Sequence, residues 1–160
     1  MRVIAIDPGY DRLGIAILEK KSNKELLIYS ECFETSAQEL FHNRLGAIGS
    51  RVREIIKKYS PDACAIEDLF FAKNTKTALK VSESRGVVIF QAIDNDIPVY
   101  EYTPNQIKVA VTGYGRATKK EVYTMVERII SLDDTRRKDD EIDAIATGIT
   151  FFASYKNNHL

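Results

Sequence analysis

The spacing of apolar residues changes character partway along this chain, and that change restricts the possible folds more than any other feature. Before the change, apolar residues come in three short runs, Arg2 to Asp7, Leu13 to Leu18 and Leu26 to Phe33, rich in Ile, Val and aromatic residues. Pro8-Gly9 closes the first run and Lys21-Ser22-Asn23-Lys24 the second. Runs of this kind bounded by turn residues are strands, and connections so short favour antiparallel neighbours. Beyond them Phe41, Leu45, Ile48, Val52, Ile55 and Tyr59 recur at steps of three and four, which predicts an amphipathic helix. Ser36 and Glu39 have the spacing of a capping box at its start, and Pro61 stops it.

From there strands and helices alternate. Ala63 to Ile66 is a fourth strand ending on Glu67-Asp68, Thr77 to Ile93 a helix, and Pro98 to Tyr102 a fifth strand. Thr103-Pro104-Asn105-Gln106 combines a capping box with proline at the first helical position, opening a short helix that ends at Gly113. After a turn at Tyr114-Gly115-Arg116-Ala117, Thr118 and Glu121 cap a helix through Ile130. A charged loop from Leu132 to Lys138 leads to a last helix, from Asp139 or Asp140 to about Tyr155. This order predicts an α/β fold: a five-stranded mixed sheet, its first three strands antiparallel, flanked by helices. The 160 residues suit one domain, large enough to bury roughly 70% of its unfolded surface. The 77–93 helix is apolar on more than one side, with Leu79, Gly86, Ile89 and Ile93 on one stripe and Val81, Val88 and Ala92 on another. Such a helix is either buried all round or shared with a second subunit.

Charge narrows the partners. With 23 basic and 23 acidic residues the chain is formally neutral, so a nucleic-acid surface has to come from local segregation. Between residues 73 and 120 eight basic residues, Lys73, Lys76, Lys80, Arg85, Lys108, Arg116, Lys119 and Lys120, outnumber four acids. Cys32 and Cys64 lie in strand-like runs without a second cysteine nearby, which suggests buried thiols in a reducing compartment. Asp7 interrupts the N-terminal apolar stretch, and no run approaches the ~18 apolar residues of a membrane span, so a soluble cytoplasmic protein is expected.

Four acids stand out by position. Asp7 ends the run Val3-Ile4-Ala5-Ile6 and Glu67 the run Ala63 to Ile66, where desolvation is costly unless the carboxylate is paired or binds a metal. Asp140 and Asp143 share one face of the last helix, with Thr147 and Thr150 continuing that stripe. An N-cap role for Asp140 and a surface role for Asp143 would also account for those two. No Cys or His cluster accompanies the acids, and oxygen-only ligands suit Mg2+ or Mn2+. Two such ions about 3.5–4 Å apart are the arrangement used for in-line phosphodiester displacement.

Ordered blocks add a resemblance. Ile4-Ala5-Ile6-Asp7-Pro8-Gly9 with Gly14, and Ala65-Ile66-Glu67 with Phe70, Ala72, Lys73 and Asn74, resemble the first two blocks of the RuvC family of Holliday-junction resolvases. Ser84-Arg85-Gly86-Val87, Tyr102-Thr103-Pro104 with Gln106-Ile107-Lys108, Gly113-Tyr114-Gly115 and Asp140-Glu141-Ile142-Asp143-Ala144 are similar to later blocks in family order. The resemblance implies a ribonuclease H-like nuclease fold, a homodimer, Mg2+ dependence with two ions per site, and paired symmetric nicks in a four-way DNA junction. It carries the catalytic, metal-binding role to Asp7, Glu67, Asp140 and Asp143, with Asp139 a competing third ligand and Asp68 an extra acid of unassigned role. It places Lys108 and Lys119 on DNA, with Lys73, Asn74, Arg85 and Arg116 on the same surface. Phe70, rather than Phe71, is expected to stack on an unpaired base, worth about 1–3 kcal/mol. A branch-migration helicase is an implied partner. Three rivals remain. An Asp-to-Gly14 phosphate loop of the actin-like ATPases would need two lobes, more than 160 residues supply. The other two are a nuclease for RNA–DNA hybrids and a non-catalytic DNA-binding module.

Overall fold

The computed structural model describes residues 1–22, 24–69, 75–133 and 135–155, with the side chain of Thr75 left out. Its elements run β1 (Arg2–Asp7), β2 (Arg12–Lys21), β3 (Lys24–Glu34), α1 (Phe41–Tyr59), β4 (Ala63–Glu67), α2 (Thr75–Ile93), β5 (Val99–Tyr102), α3 (Pro104–Thr112), α4 (Lys119–Ile130) and α5 (Asp139–Tyr155). The sheet order is β3-β2-β1-β4-β5. β1 to β3 pair antiparallel, while β4 runs parallel to both β1 and β5. This is the five-stranded mixed sheet expected from the sequence.

Period-two alternation sorts the strand residues onto two unlike faces. Ile4, Ile6, Ile15, Ile17, Cys64 and Ile66 pack against α1 and α2, with Ile48, Val52, Ile55, Val88 and Ala92 filling that layer. The other face carries Val3, Ala5, Ala16, Leu18, Ala63 and Ala65 and meets α3, α4 and α5. Alanines there let α5 come close: a methyl added at Gly148 would stand 2.6 Å from Leu18 and 3.2 Å from Ala5. Ala144 to Phe152 of α5 are all buried, which accounts for the apolar stretch in a sequence otherwise rich in charge.

The cap of α1 and the burial of Cys32 depart from expectation. Ser36 and Glu39 do not cap α1. The helix starts later, with Leu40 at the cap and no side-chain hydrogen bond there, while the Ser36 hydroxyl accepts the Gln38 amide at 3.3 Å in a local turn. Val88 is fully buried against the sheet, so the apolar surface that α2 leaves open consists of Leu79, Phe90 and Ile93 beside Gly86. The capping boxes at Thr103/Gln106 and Thr118/Glu121 form as expected. Cys64 is buried but Cys32 only partly so. Among the described residues no helix is long and apolar enough to cross a membrane.

Gly14 is the tightest point between sheet and helix. It pairs with Asp7 across β1 and β2, and a Cβ there would lie 1.9 Å from the Asp140 carbonyl oxygen and 3.1 Å from the Asp7 Cβ. The obstacle is backbone, so Gly14→Ala should push the start of α5 off the sheet and destabilise the protein by about 1–3 kcal/mol in denaturant titration. Gly46, exposed within α1 with open space at its Cβ position, provides the contrast. Gly46→Ala should stabilise by roughly 0.5–1 kcal/mol from helix propensity. Equal effects of the two substitutions would contradict the packing described.

Candidate active site

Alternation along the strands places the first two acids. Ala5 and Ala65 face the α3–α5 side, Ile6 and Ile66 the opposite side, so Asp7 and Glu67 return to the α3–α5 face. Ile6 pairs with Ile66 in the parallel register, which sets Asp7 beside Glu67 at the same end of adjacent strands. The first turns of α5 cross that end, because its backbone at Asp140 presses on Gly14, the partner of Asp7. Asp7, Glu67, Asp140 and Asp143 therefore line one open cleft of about 400 Å³, walled by Pro104, Ile107 and Val122 and bordered by Lys108 and Lys119.

The electrostatics are those of crowded like charges. Burial pushes the Asp7 carboxyl well above the usual carboxylate range, and the charges of Glu67, Asp143 and Asp140 push the same way against Lys119. Burial raises Glu67 to about 7, with Asp143 adding to it and Lys119, Lys108 and a hydrogen bond with Asp7 opposing. Asp143 is raised by burial as well, partly offset by Lys119, whose ammonium lies 3.3 Å from its Oδ2. Asp140 has its own partners: the Arg12 guanidinium at 3.5 Å and the Cys32 thiol, which donates to Oδ2 at 3.7 Å. Burial, then the Asp140 charge, pushes that thiol up to about 11.

Among the described residues no three donors already stand close enough to chelate one ion. Asp143 leans on Lys119 and Asp140 on Arg12, as carboxylates do when side-chain cations are their nearest counter-charges. The donor chemistry nonetheless fits a hard divalent cation. All four groups offer oxygen only, and a dication replaces repulsion among them with attraction.

The remaining sequence candidates separate. Asp139 lines an adjoining depression with Lys120, Tyr123 and Asp143, while Asp140 lines the cleft that holds Asp7 and Glu67. Asp68 binds the Leu69 amide at 2.8 Å and Arg85 at 3.4 Å. Arg85 is not free on the surface: it donates to the Glu67 carbonyl at 3.3 Å and also pairs with Glu101. Arg116 is exposed on the turn between α3 and α4. Phe70, Lys73 and Asn74 lie outside the described residues. Thr147 and Thr150 are buried and donate to the carbonyls of Asp143 and Ala146, so they serve the helix and not the cleft. Sequence patterning missed the contacts of Arg12 and Cys32 with Asp140, because they follow from strand register and helix packing that no local motif encodes.

Comparison with known proteins bears on the family and the fold. Residues 3–151 match the family model described as crossover junction endodeoxyribonuclease RuvC. The chain is 46% identical over 146 residues to the crossover junction endodeoxyribonuclease RuvC of Thermosipho melanesiensis, covering 91% of this chain and 93% of the relative. Identity to the protein of that name from Finegoldia magna is 42% over 160 residues, covering 100% and 98%. Among solved structures, Thermus thermophilus RuvC in complex with Holliday junction substrate superposes with a TM-score of 0.93 at 36% identity, over 99% of this chain and 96% of that one. Another T. thermophilus RuvC structure gives 0.89 at 35%, over 99% and 97%. The fold is thus the ribonuclease H-like one expected. Yeast mitochondrial Ydc2, a Holliday junction resolvase 13% identical with a TM-score of 0.66, shares the fold.

Proposed function

The chain belongs to the RuvC family of crossover junction endodeoxyribonucleases, and from that premise we propose that it resolves Holliday junctions by paired symmetric nicks in DNA recombination and repair. The observation that carries the proposal is the gathering of Asp7, Glu67, Asp140 and Asp143 in one cleft edged by Lys108 and Lys119. Asp7, Glu67, Asp140 and Asp143 are the proposed ligands of two Mg2+ ions, for which Mn2+ can substitute. When bound, such ions supply an activated water and stabilise the departing 3′ oxygen. The protein's part is positional. Two carboxylates are fixed by adjacent strand ends and two by one face of α5, so their relative placement is set before substrate arrives.

Lys108 and Lys119 border the same cleft and are proposed to hold the scissile strand by its phosphates, which fixes register without reading sequence. Lys119 pairs with Asp143 in the free protein, so phosphate and metal together would exchange that pairing for two new ones. Arg116 extends the basic border, and Phe70, Lys73 and Asn74 stay in the proposal on the strength of the family blocks. One nuclease domain acting in the cytoplasm, with a branch-migration helicase as partner, completes it. The free thiols Cys32 and Cys64 suit that reducing compartment.

Cleavage of a four-way junction, an RNA–DNA hybrid and a linear duplex, each with and without Mg2+, tests the assignment. Cleavage should require the ion and favour the junction. Asp7→Asn and Glu67→Gln should each slow it by at least about 100-fold, the scale of losing part of a positioned electrostatic site, with junction binding retained. Hybrid cleavage exceeding junction cleavage, or near wild-type rates in either variant, would refute it.

A homodimer is part of the same proposal. α2 exposes Leu79 (58%), Phe90 (59%) and Ile93 (59%) beside the open Gly86, an apolar stripe of the kind that marks a subunit contact. Gly86→Glu or Phe90→Glu should shift sedimentation toward monomer, with a cooperative melt retained whose midpoint no longer depends on protein concentration. Wild type that sediments as monomer at micromolar concentration would contradict the contact.

A further inference from the structure

Two consecutive residues of α2 hold the two strand ends that carry Asp7 and Glu67. The Ser84 hydroxyl, fully buried, donates at 3.0 Å to the carbonyl of Gly9, two residues beyond Asp7. The Arg85 guanidinium donates at 3.3 Å to the carbonyl of Glu67 itself, lies 3.4 Å from Asp68, and pairs with Glu101 on β5. Its side chain is only 15% exposed. The loop after Asp7 has a second anchor on the same layer. Arg44 of α1, buried, donates to the Tyr10 carbonyl at 3.1 Å and pairs with Asp11. None of these side chains lines the cleft, and all of them approach from the face opposite α5.

We propose that Ser84 and Arg85 are positioning residues: a clamp from α2 that fixes the spacing of the Asp7 and Glu67 carboxylates, with Glu101 as the anchor of the arginine. The physical need for a clamp is the repulsion between these acids. Both lie at strand ends, where the ladder stops, and crowding with the acids of α5 favours splaying. Ser84 ties the backbone past one acid and Arg85 the backbone at the other to a single helix turn. The charge of Arg85 is spent on Glu101 and Asp68, so it holds Glu67 through the main chain without competing for its carboxylate. This assigns to Arg85 a role other than the phosphate contact expected from its place in the basic segment.

The clamp rests on the proposed nuclease site, so its test carries a readout independent of cleavage. The Asp68 amide donates to the Tyr102 carbonyl at 2.8 Å, the last bond joining β4 to β5 beside Glu67. In Arg85→Gln and in Glu101→Gln, hydrogen exchange at Asp68 should be about tenfold faster, while amides of α5 such as Ala146 keep their protection. Both variants should slow single-turnover cleavage at saturating junction by about tenfold or more, the consequence of displacing a ligand by a fraction of an ångström. Junction affinity and its salt dependence should stay at wild-type values, and the double variant should be no slower than Arg85→Gln alone. Arg85→Lys, which retains a donor and the charge, should recover part of the rate. Ser84→Ala should slow cleavage with Asp68 exchange unchanged, since it grips the other strand. A flatter salt dependence of binding in Arg85→Gln, with tighter binding in Glu101→Gln, would identify Arg85 as a phosphate contact and overturn the clamp. So would a loss of protection spread evenly through the protein, the mark of a general packing role. If the wild type leaves junctions uncut in Mg2+ and Mn2+, the nuclease assignment fails, and Asp68 exchange still decides whether the clamp exists.

Discussion

Four carboxyl groups drawn into one cleft are the constraint around which this molecule is built. Asp7, Glu67, Asp140 and Asp143 come from two strands and a helix, and burial followed by neighbouring carboxylates raises the proton affinity of Asp7, Glu67 and Asp143. Nothing in their local chain segments favours bringing them together. The compensating free energy is apolar burial elsewhere, above all along α5, where every residue from Ala144 to Phe152 is buried. At about 25 cal/mol per Å² of apolar surface, one such helix outweighs repulsion terms of a few kcal/mol. The acids sit at the ends of elements whose middles are held firmly.

Close approach converts that burial into geometry. Ala5, Ala16, Ala63 and Ala65 form a shallow surface on one side of the sheet, while the isoleucines of the same strands fill the other side. α5 settles onto the shallow side until Gly148 meets Leu18 and Ala5 and the Asp140 backbone meets Gly14. Side-chain tethers then trim the arrangement. Arg12 and Cys32 hold Asp140, and Lys119 holds Asp143. The helix that bears Ser84 and Arg85 also offers the exposed apolar stripe of the proposed dimer, so assembly and acid spacing would draw on one element.

Much of this was legible in the sequence because it is written in local periodicity. All five strands and five helices occur where the changes of period put them. The boxes at Thr103 and Thr118 form because each threonine stands directly before its helix, with the partner at the third helical position. Ser36 has the same spacing and fails, since a turn through residue 39 separates it from α1. The ends of two apolar runs also marked Asp7 and Glu67 before any tertiary structure was known. What stayed hidden depends on register and packing. Asp139 and Asp140 differ by 100° around a helix, and only the docking of α5 distinguishes them. Cys32 reaches Asp140 because it lies opposite Gly14 in the β2–β3 ladder. Val88 and Phe90 look alike in composition, yet one fills the core and the other faces solvent.

The central claim is that burial, with like-charge crowding added to it, opposes ionisation of these carboxylates in the metal-free protein and that a divalent cation relieves this. Glu67 provides the handle, being held at about 7 against an ordinary 4.5. A carboxyl raised on folding binds more protons in the native state than in the unfolded one, so its contribution to stability is present at low pH and lost as pH rises between those two values. The decisive measurement is the melting temperature of chelator-treated protein from about pH 4.5 to pH 7, for wild type and Glu67→Gln, repeated at pH 7 with Mn2+. Wild type should lose more stability than the variant across that window, and Mn2+ should restore wild type far more than the variant. Parallel pH profiles with no effect of Mn2+ on either protein would contradict the account.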